Sequence, residues 1–190
     1  SKVAGQVVVA AGFAAIALQF PSPETGLTPA STMISAIRDV PWLDLAVFGA
    51  VAGGILFALW VTLMVVGTSN AVNVTDGLDG LATGASIFAF TAYIVIGFWQ
   101  FNQWCYNANL DTDVLATCYV VRDPLDLATI AAAITGSLVG FLWWNTSPAR
   151  IFMGDTGSLA LGGAMAGIAI CTQTELLLPV MAGLFVVITA

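Results

Sequence analysis

The feature that most constrains the fold is a long stretch without charge. Between Leu45 and Thr75 no side chain is charged, and most side chains are apolar. An α-helix rises about 1.5 Å per residue, so about 20 residues cross a hydrocarbon core of about 30 Å. The length and apolarity of this stretch therefore predict a transmembrane helix.

Similar apolar runs recur along the chain. Its 190 residues are 59% hydrophobic and 8% charged, whereas soluble domains carry about 25% charged residues. This composition excludes a soluble enzyme and predicts an all-α fold, a polytopic integral membrane helical bundle with about six transmembrane helices. The predicted spans cover residues 3–20, 43–67, 81–99, 126–144, 158–172 and 176–190. The proline-containing connection 21–44 is predicted to be an irregular loop.

The two ends of the sequence indicate a longer protein. The sequence begins with Ser1 rather than Met, and its last apolar run is short for a span. We expect residues 1–190 to form a single transmembrane domain from the middle of a longer polypeptide, without that protein's N-terminal and C-terminal spans.

Residue usage narrows the possible chemistry. A net charge of -7 with only four basic residues excludes nucleic acid as a partner, because phosphate binding needs clustered Lys and Arg. The sequence contains no His, so acid–base catalysis or metal binding would depend on carboxylates, amides and hydroxyls. Cys105 and Cys118 share one predicted loop, and their spacing leaves open whether they form a disulfide.

Alternating spans divide the loops between two faces of the membrane. Face one receives Lys2 with the loops 68–80 and 145–157. Face two receives the connections 21–44, 100–125 and 173–175, where Glu175 is predicted to anchor a span end. The four basic residues divide equally between the faces, so the positive-inside rule does not orient the chain.

The first loop of face one, residues 70–80, is unusually polar. It reads NAVNVTDGLDG. If Thr75 caps a helix that continues into the next span, Asp76 and Asp79 project from one face of its first turn. The alternative is that these residues are solvated helix caps. The loop also supplies amides and small residues that admit a ligand close to the backbone: Asn70, Asn73, Gly77 and Gly80.

The second loop of face one, residues 145–158, repeats this character. It reads NTSPARIFMGDTGS, with Asp155 between two glycines and Ser158 in position to cap the following span. Phe152 has two interpretations, stacking on a nucleobase or packing against lipid and neighbouring helices.

The acidic residues of the two loops predict a metal site. Asp76, Asp79 and Asp155 fall on the same face, where converging like charges are unfavourable without a cation between them. Oxygen ligands favour a hard ion, and Mg²⁺ usually takes one or two carboxylates together with substrate phosphate oxygens. Predicted helix N-termini at Asp76 and Ser158 also favour an anion. The pattern thus predicts a Mg²⁺-pyrophosphate site.

Two long segments carry a family resemblance. NAVNVTDGLDGLATG from Asn70 and GFLWWNTSPARIFMGDTGSLALGG from Gly140 resemble the polyprenyl-phosphate N-acetylhexosamine-1-phosphate transferase superfamily. Thr75 before Asp76 favours the branch that uses UDP-MurNAc-pentapeptide. The resemblance implies transfer of phospho-MurNAc-pentapeptide to undecaprenyl phosphate, which forms lipid I and UMP in peptidoglycan synthesis. It implies a bacterial plasma membrane with face one cytoplasmic, and it admits a homodimer.

The resemblance also implies roles for single residues. Asp155 resembles the Mg²⁺ ligand and Asp76 the essential carboxylate beside the pyrophosphate, so both are candidate catalytic residues. The candidate substrate-binding residues fall into a uridine-binding group, Gly77, Leu78, Asp79 and Phe152, and a polar lining, Asn70, Asn73 and Asn145. The family has about ten spans, a paired Asp-Asp motif and a His-containing loop, none of which this sequence contains.

Three other functions remain open from the sequence. A related transferase would use a different UDP-N-acetylhexosamine with the same chemistry. An ion-coupled transporter can also place carboxylates near glycine-interrupted helices, although such sites usually lie near the midplane of the membrane. A purely structural membrane subunit would not depend on Asp155.

Overall fold

The computed structural model describes residues 2–107 and 117–189, and it is a bundle of helices with one small sheet. Helices that make up the bundle are α1 (Lys2–Ala17), α2 (Ala50–Thr75), α3 (Leu81–Asn102), α4 (Pro124–Asn145), α5 (Gly154–Cys171), α6 (Leu178–Met181) and α7 (Gly183–Thr189). Two 3-10 helices, Leu45–Phe48 and Glu175–Leu177, and two strands, β1 (Met33–Ser35) and β2 (Asp39–Asp44), lie between them.

Three helices, α2, α3 and α4, are long and apolar enough to cross a membrane by length and composition. The apolar helices α1 and α5 are shorter, at 16 and 18 residues. This architecture confirms the all-α membrane bundle. The helix predicted over 43–67 instead begins at Ala50 and ends at Thr75. Its C-terminal end is longer than predicted because the side chains of Asn70 and Thr75 hydrogen-bond to carbonyls one turn earlier.

The last predicted span, residues 176–190, is not one continuous helix. A 3-10 turn leads into α6, and the helix is interrupted at Ala182 before α7 begins. Pro179 lies in the first turn of α6, the position where a proline is tolerated because its missing N–H has no helical partner there. The prediction of a single helix here was wrong.

The connection 21–44 is also more ordered than predicted. Its second half forms an antiparallel pair in which Met33 aligns with Asp44 and Ser35 with Asp39, with a register irregularity between them. The prediction of an irregular loop is therefore wrong for residues 33–44.

Close helix approach determines where the two polar loops lie. A Cβ on Gly162 of α5 would lie 2.5 Å from the Cα of Ser69 in α2, so the two backbones nearly touch. The large side chains Phe57, Phe90 and Met165 are fully buried in the core. Packing of α5 against α2 brings the end of α2 to the beginning of α5.

Contacts between loops agree with the predicted alternation of faces. On face one, Lys2 and Asn73 contact Asp155, and Asp79 contacts Ala149. On face two, Glu175 accepts a hydrogen bond from Ser35, Arg38 donates to Thr117, Arg122 donates to Phe20, and Cys105 and Cys118 form a disulfide.

Candidate active site

The first half of the site is the C-terminal end of α2. Thr75 is the last residue of α2, and Asp76 follows as the C-cap, with its N–H bonded to the carbonyls of Val72 and Asn73. The next helix starts only at Leu81. The predictions that Thr75 is an N-cap and that Asp76 marks a helix N-terminus are wrong, because the polar residues before Asp76 extend α2 instead of starting α3.

The second half of the site is the first turn of α5. This helix begins at Gly154, so Asp155 lies in its first turn, where the positive end of the helix dipole favours an anion. Ser158 is not the cap that the sequence predicted, since its hydroxyl donates back to the carbonyl of Gly154 at 3.1 Å. The expected helix N-terminus is present, four residues earlier than predicted.

A single amide joins the two halves. The side-chain nitrogen of Asn73 donates to Oδ1 of Asp155 and to the hydroxyl of Ser158, both at 2.8 Å. The ammonium of Lys2, in the first turn of α1, forms an ion pair with Oδ2 of the same carboxylate. Both oxygens of Asp155 are thus contacted by side chains from other helices.

The two carboxyl groups differ in their electrostatics. The hydrogen bond from Lys2 lowers the pKa of Asp155, and the hydrogen bond from Asn73 lowers it further. Partial burial raises the pKa of Asp76, the backbone N–H of Gly154 opposes this, and the negative charge of Asp155 adds to the increase. The two carboxylates therefore lie close enough to repel each other.

Asp79 and the exposed apolar residues form the rim of the site. Oδ2 of Asp79 accepts the backbone N–H of Ala149 at 3.1 Å, which joins the two polar loops. Leu78 and Phe152 are 67% and 72% exposed, and Gly77, which precedes Leu78, is also exposed. Exposed apolar side chains thus occur in both loops that carry the acidic pair, Asp76 and Asp155.

Two of the predicted lining amides make hydrogen bonds within the protein. Asn145 is buried, accepts the hydroxyl of Thr83 at 2.7 Å and donates to the carbonyl of Ile151 at 2.9 Å. Asn70 donates to the carbonyl of Val66 at 2.7 Å and to Gln6 at 3.2 Å. Both amides therefore connect segments of the protein to each other. A substrate contact from either amide stays a prediction.

Comparison with known proteins identifies the family of this chain. Residues 1–173 match glycosyl transferase family 4. The chain belongs to glycosyl transferase family 4.

Several curated members of family 4 are similar over the whole chain. The phospho-N-acetylmuramoyl-pentapeptide-transferase of Clavibacter michiganensis subsp. michiganensis is 59% identical over 187 residues, 98% of this chain and 50% of the relative. Proteins of the same name from Pseudarthrobacter chlorophenolicus and Streptomyces avermitilis are 58% and 56% identical over 189 residues, 100% of this chain and 50% of each relative. The chain spans about half the length of the curated relatives it matches.

The candidate site has fewer converging acids than the sequence predicts. Within residues 2–107 and 117–189, no group of three His, Cys, Asp or Glu side chains is placed to hold a metal ion. Asp79 faces Ala149 instead, so the predicted set of three carboxylates reduces to Asp76 and Asp155. Two carboxylates still match the usual protein contribution to a Mg²⁺ site, where substrate phosphates supply further oxygens.

Lys2 and Ser158 belong to the candidate site by their contacts with Asp155 and Asn73, and neither is among the site residues predicted from the sequence. Lys2 is one of only four basic residues and was assigned to the same face as Asp155, a signal that could have identified the ion pair. Nothing in the sequence pattern indicated that the hydroxyl of Ser158 receives a hydrogen bond from Asn73.

Proposed function

We propose that this chain forms part of a membrane enzyme that transfers phospho-MurNAc-pentapeptide from UDP-MurNAc-pentapeptide to undecaprenyl phosphate, leaving lipid I and releasing UMP. The observation that carries the proposal is the hydrogen bond from Asn73 to Asp155, which joins two acidic loops on one face. Relatives that are 56% to 59% identical are named for transfer of this group. A related transferase for another UDP-N-acetylhexosamine is the alternative that shares this chemistry.

Asp155 and Asp76 are the residues that would hold Mg²⁺. Burial raises the pKa of Asp76, and the negative charge of Asp155 adds to the increase; a divalent cation between the two carboxylates would relieve that repulsion. Phosphoglycosyl transferases generally use a divalent metal, which supports the assignment. When bound, the ion offsets negative charge that develops on the departing UMP.

The remaining residues would bind and align the sugar nucleotide. Lys2 and the N-terminus of α5 bring positive charge toward the pyrophosphate. Asp79, the backbone of Gly77 and Leu78, and the exposed ring of Phe152 would bind uridine. The amides of Asn70, Asn73 and Asn145 would form or support the polar lining.

The reaction needs little covalent help from the protein. An oxygen of the lipid phosphate attacks the β-phosphorus, a new phosphorus–oxygen bond forms, and the bond to the UMP oxygen breaks. The lipid phosphate is already an anionic nucleophile, so we assign no general base. The contribution of this chain is alignment of the two phosphates and compensation of their charge.

The proposal also concerns the setting of the enzyme. The three long apolar helices fit a membrane protein, and we assign it to the bacterial plasma membrane with face one cytoplasmic, where a sugar nucleotide is accessible. Residues 1–190 would be a single transmembrane domain of the longer enzyme. A homodimer stays a prediction from the resemblance.

Exchange of labelled UMP into UDP-MurNAc-pentapeptide tests the proposal. In the full-length protein with Mg²⁺, Asp155→Asn should abolish exchange, whereas Asp126→Asn, on face two, should retain it. Exchange that survives in Asp155→Asn would support a structural role for this residue. Ion flux through vesicles without UMP exchange would support a transporter instead.

A further inference from the structure

A group of large apolar side chains is exposed on face two, away from the acidic pair. Trp42, Val47, Phe48 and Val51 are 83%, 76%, 69% and 79% exposed, and Leu43 beside them is 39% exposed. We call these five residues the outer apolar patch. They come from β2, the following 3-10 helix and the first turn of α2. Exposed large apolar side chains so close together along the chain indicate an interaction site.

The patch has no outward charge. Asp44 is the only charged residue between Pro41 and Val51. Its Oδ1 accepts the backbone N–H of Ala46 and the hydroxyl of Thr32, both at 2.9 Å, so this carboxylate is used in capping the 3-10 helix. The partner of the patch is therefore apolar rather than a basic protein surface.

The patch is held firmly against α2. A Cβ on Gly53 would lie 2.8 Å from the Cα of Ala46 and 2.9 Å from the carbonyl oxygen of Leu45. Only glycine allows this approach of the 3-10 helix to α2. Because the backbones pack so closely, the direction of Phe48 is fixed relative to the membrane helix.

The exposed stripe of α2 favours lipid as the occupant of the patch, because α2 is long and apolar enough to cross a membrane. Val51, Ile55, Leu59 and Leu63 follow one another at intervals of four residues and are 58% to 79% exposed. This spacing makes one continuous face of the helix. Val51 belongs to both the stripe and the outer apolar patch, so a bilayer that covers the stripe would reach the patch.

The length of α2 places the patch at the right depth. Its 26 residues span about 39 Å, more than the hydrocarbon core of about 30 Å but within the thickness of about 40 Å that includes the headgroups. With the polar end of α2 at face one, its first turn reaches the headgroup region of the other leaflet. Tryptophan is enriched at this depth.

We infer that the outer apolar patch inserts into the interface of the outer leaflet and anchors the β1–β2 hairpin to the lipid surface. The anchor holds the hairpin independently of the chemistry at face one. A further span of the longer polypeptide, a second copy of the chain or another protein is the competing occupant of the same residues.

Quenching of tryptophan fluorescence by brominated lipids tests this inference. The emission of Trp42 is the difference between the full-length protein and its Trp42→Phe variant, both reconstituted in vesicles. We expect loss of this emission with lipids brominated near the glycerol end of the acyl chain, less loss with lipids brominated near the methyl end, and little effect of aqueous iodide. Trp104→Phe is the matched control, since the Trp104 indole donates to the carbonyl of Val121 within the connection 100–125.

Two results would overturn the inference. Quenching of the Trp42 emission by iodide but not by brominated lipids would place the patch in water. Protection from both quenchers would mean that a protein surface covers it. Neither result bears on UMP exchange, so the proposed transferase activity is judged separately.

Discussion

The side-chain amide of Asn73 makes the decisive contact of the site. Replacing Asn73 with Ala removes its hydrogen bonds to Asp155 and Ser158. Hydrogen bonds to a charged group are stronger than those between neutral groups. We expect Asn73→Ala to lower kcat/KM of the full-length enzyme by about ten- to a hundredfold, because the acidic pair is no longer aligned. Release of UMP measures this.

Asn102→Ala is the control for Asn73→Ala. Among the described residues, the Asn102 amide donates to the carbonyl of Phe98 in its own helix, at the end of α3 away from the site. The control should keep the kcat/KM of the unmodified enzyme. Equal losses in the two variants would mean that Asn73 has no special role in alignment.

The protonation of Glu175 makes the folding stability of the protein depend on pH. Only 2% of this residue is exposed, and burial raises its pKa from 4.5 to about 7, while hydrogen bonds from Ser35 oppose the increase. Between these values the unfolded chain releases the proton and the folded chain keeps it. The contribution to folding stability is therefore present below pH 4.5 and lost as pH rises through about 7, a loss of about 3 kcal/mol.

Thermal unfolding of Glu175→Gln in detergent measures the effect. We expect this variant to lose the decrease in Tm between acid and neutral pH, and to be more stable than the unmodified protein above pH 7. Glu24→Gln, an exposed residue on the same face, reports the general effect of removing a carboxylate. A pH dependence that persists in Glu175→Gln would contradict the assignment.

At the scale of elements, Gly162 controls how closely α2 and α5 approach. A Cβ at this position would lie 2.5 Å from the Cα of Ser69 and 2.6 Å from the carbonyl oxygen of Thr68. These are backbone atoms, which cannot move away by a side-chain rotation. Gly162→Ala should therefore cost about 1–3 kcal/mol of stability. It should also reduce kcat, because α2 carries Asn73 and α5 carries Asp155.

The neighbouring glycine provides a matched control. A Cβ on Gly163 would have Ser69 Oγ as its nearest contact at 3.6 Å, an ordinary separation. Gly163→Ala should leave Tm and activity nearly unchanged. If the two alanine variants behave alike, the helix approach does not set the geometry of the site.

The polar segments of face one could be predicted from the sequence, but the helix ends within them could not. Asn, Thr and Asp are typical of helix starts, and the segment before Asp76 matches that pattern. The same side chains can also bond to carbonyls one turn earlier, as Asn70 and Thr75 do. Packing of α2 against α5 favours the second arrangement, and this tertiary contact is invisible in local sequence.

At the scale of the whole molecule, alternation of apolar runs was enough to predict which loops share a face. It could not predict what happens inside face two, where burial of Glu175 depends on a hydrogen bond from Ser35 far away in the sequence. The pairing of Cys105 with Cys118 likewise requires their Cα atoms to meet at 5.0 Å, which spacing alone leaves open. Long-range contacts of this kind are properties of the assembled bundle.

The number of membrane crossings predicts which loops can be labelled from outside the cell. Three helices, α2, α3 and α4, are long and apolar enough to span the membrane, and they separate Glu24 from Ser147 in the chain. An odd number of crossings puts these residues on opposite sides. In intact cells, a membrane-impermeant maleimide should label Glu24→Cys and not Ser147→Cys of the full-length protein, whereas both should react after the membrane is opened.

The unmodified protein controls for reaction at Cys171, the free cysteine of the described residues. Labelling of Ser147→Cys alone would show that the orientation is the reverse of the proposed one. The acidic pair would then face the outside of the cell, where a cytoplasmic sugar nucleotide could not reach it. Labelling of both variants in intact cells would mean that one of the three helices does not cross. Because Ser147 lies in the loop that joins α4 to the first turn of α5, either result would separate Asp155 from its proposed substrate.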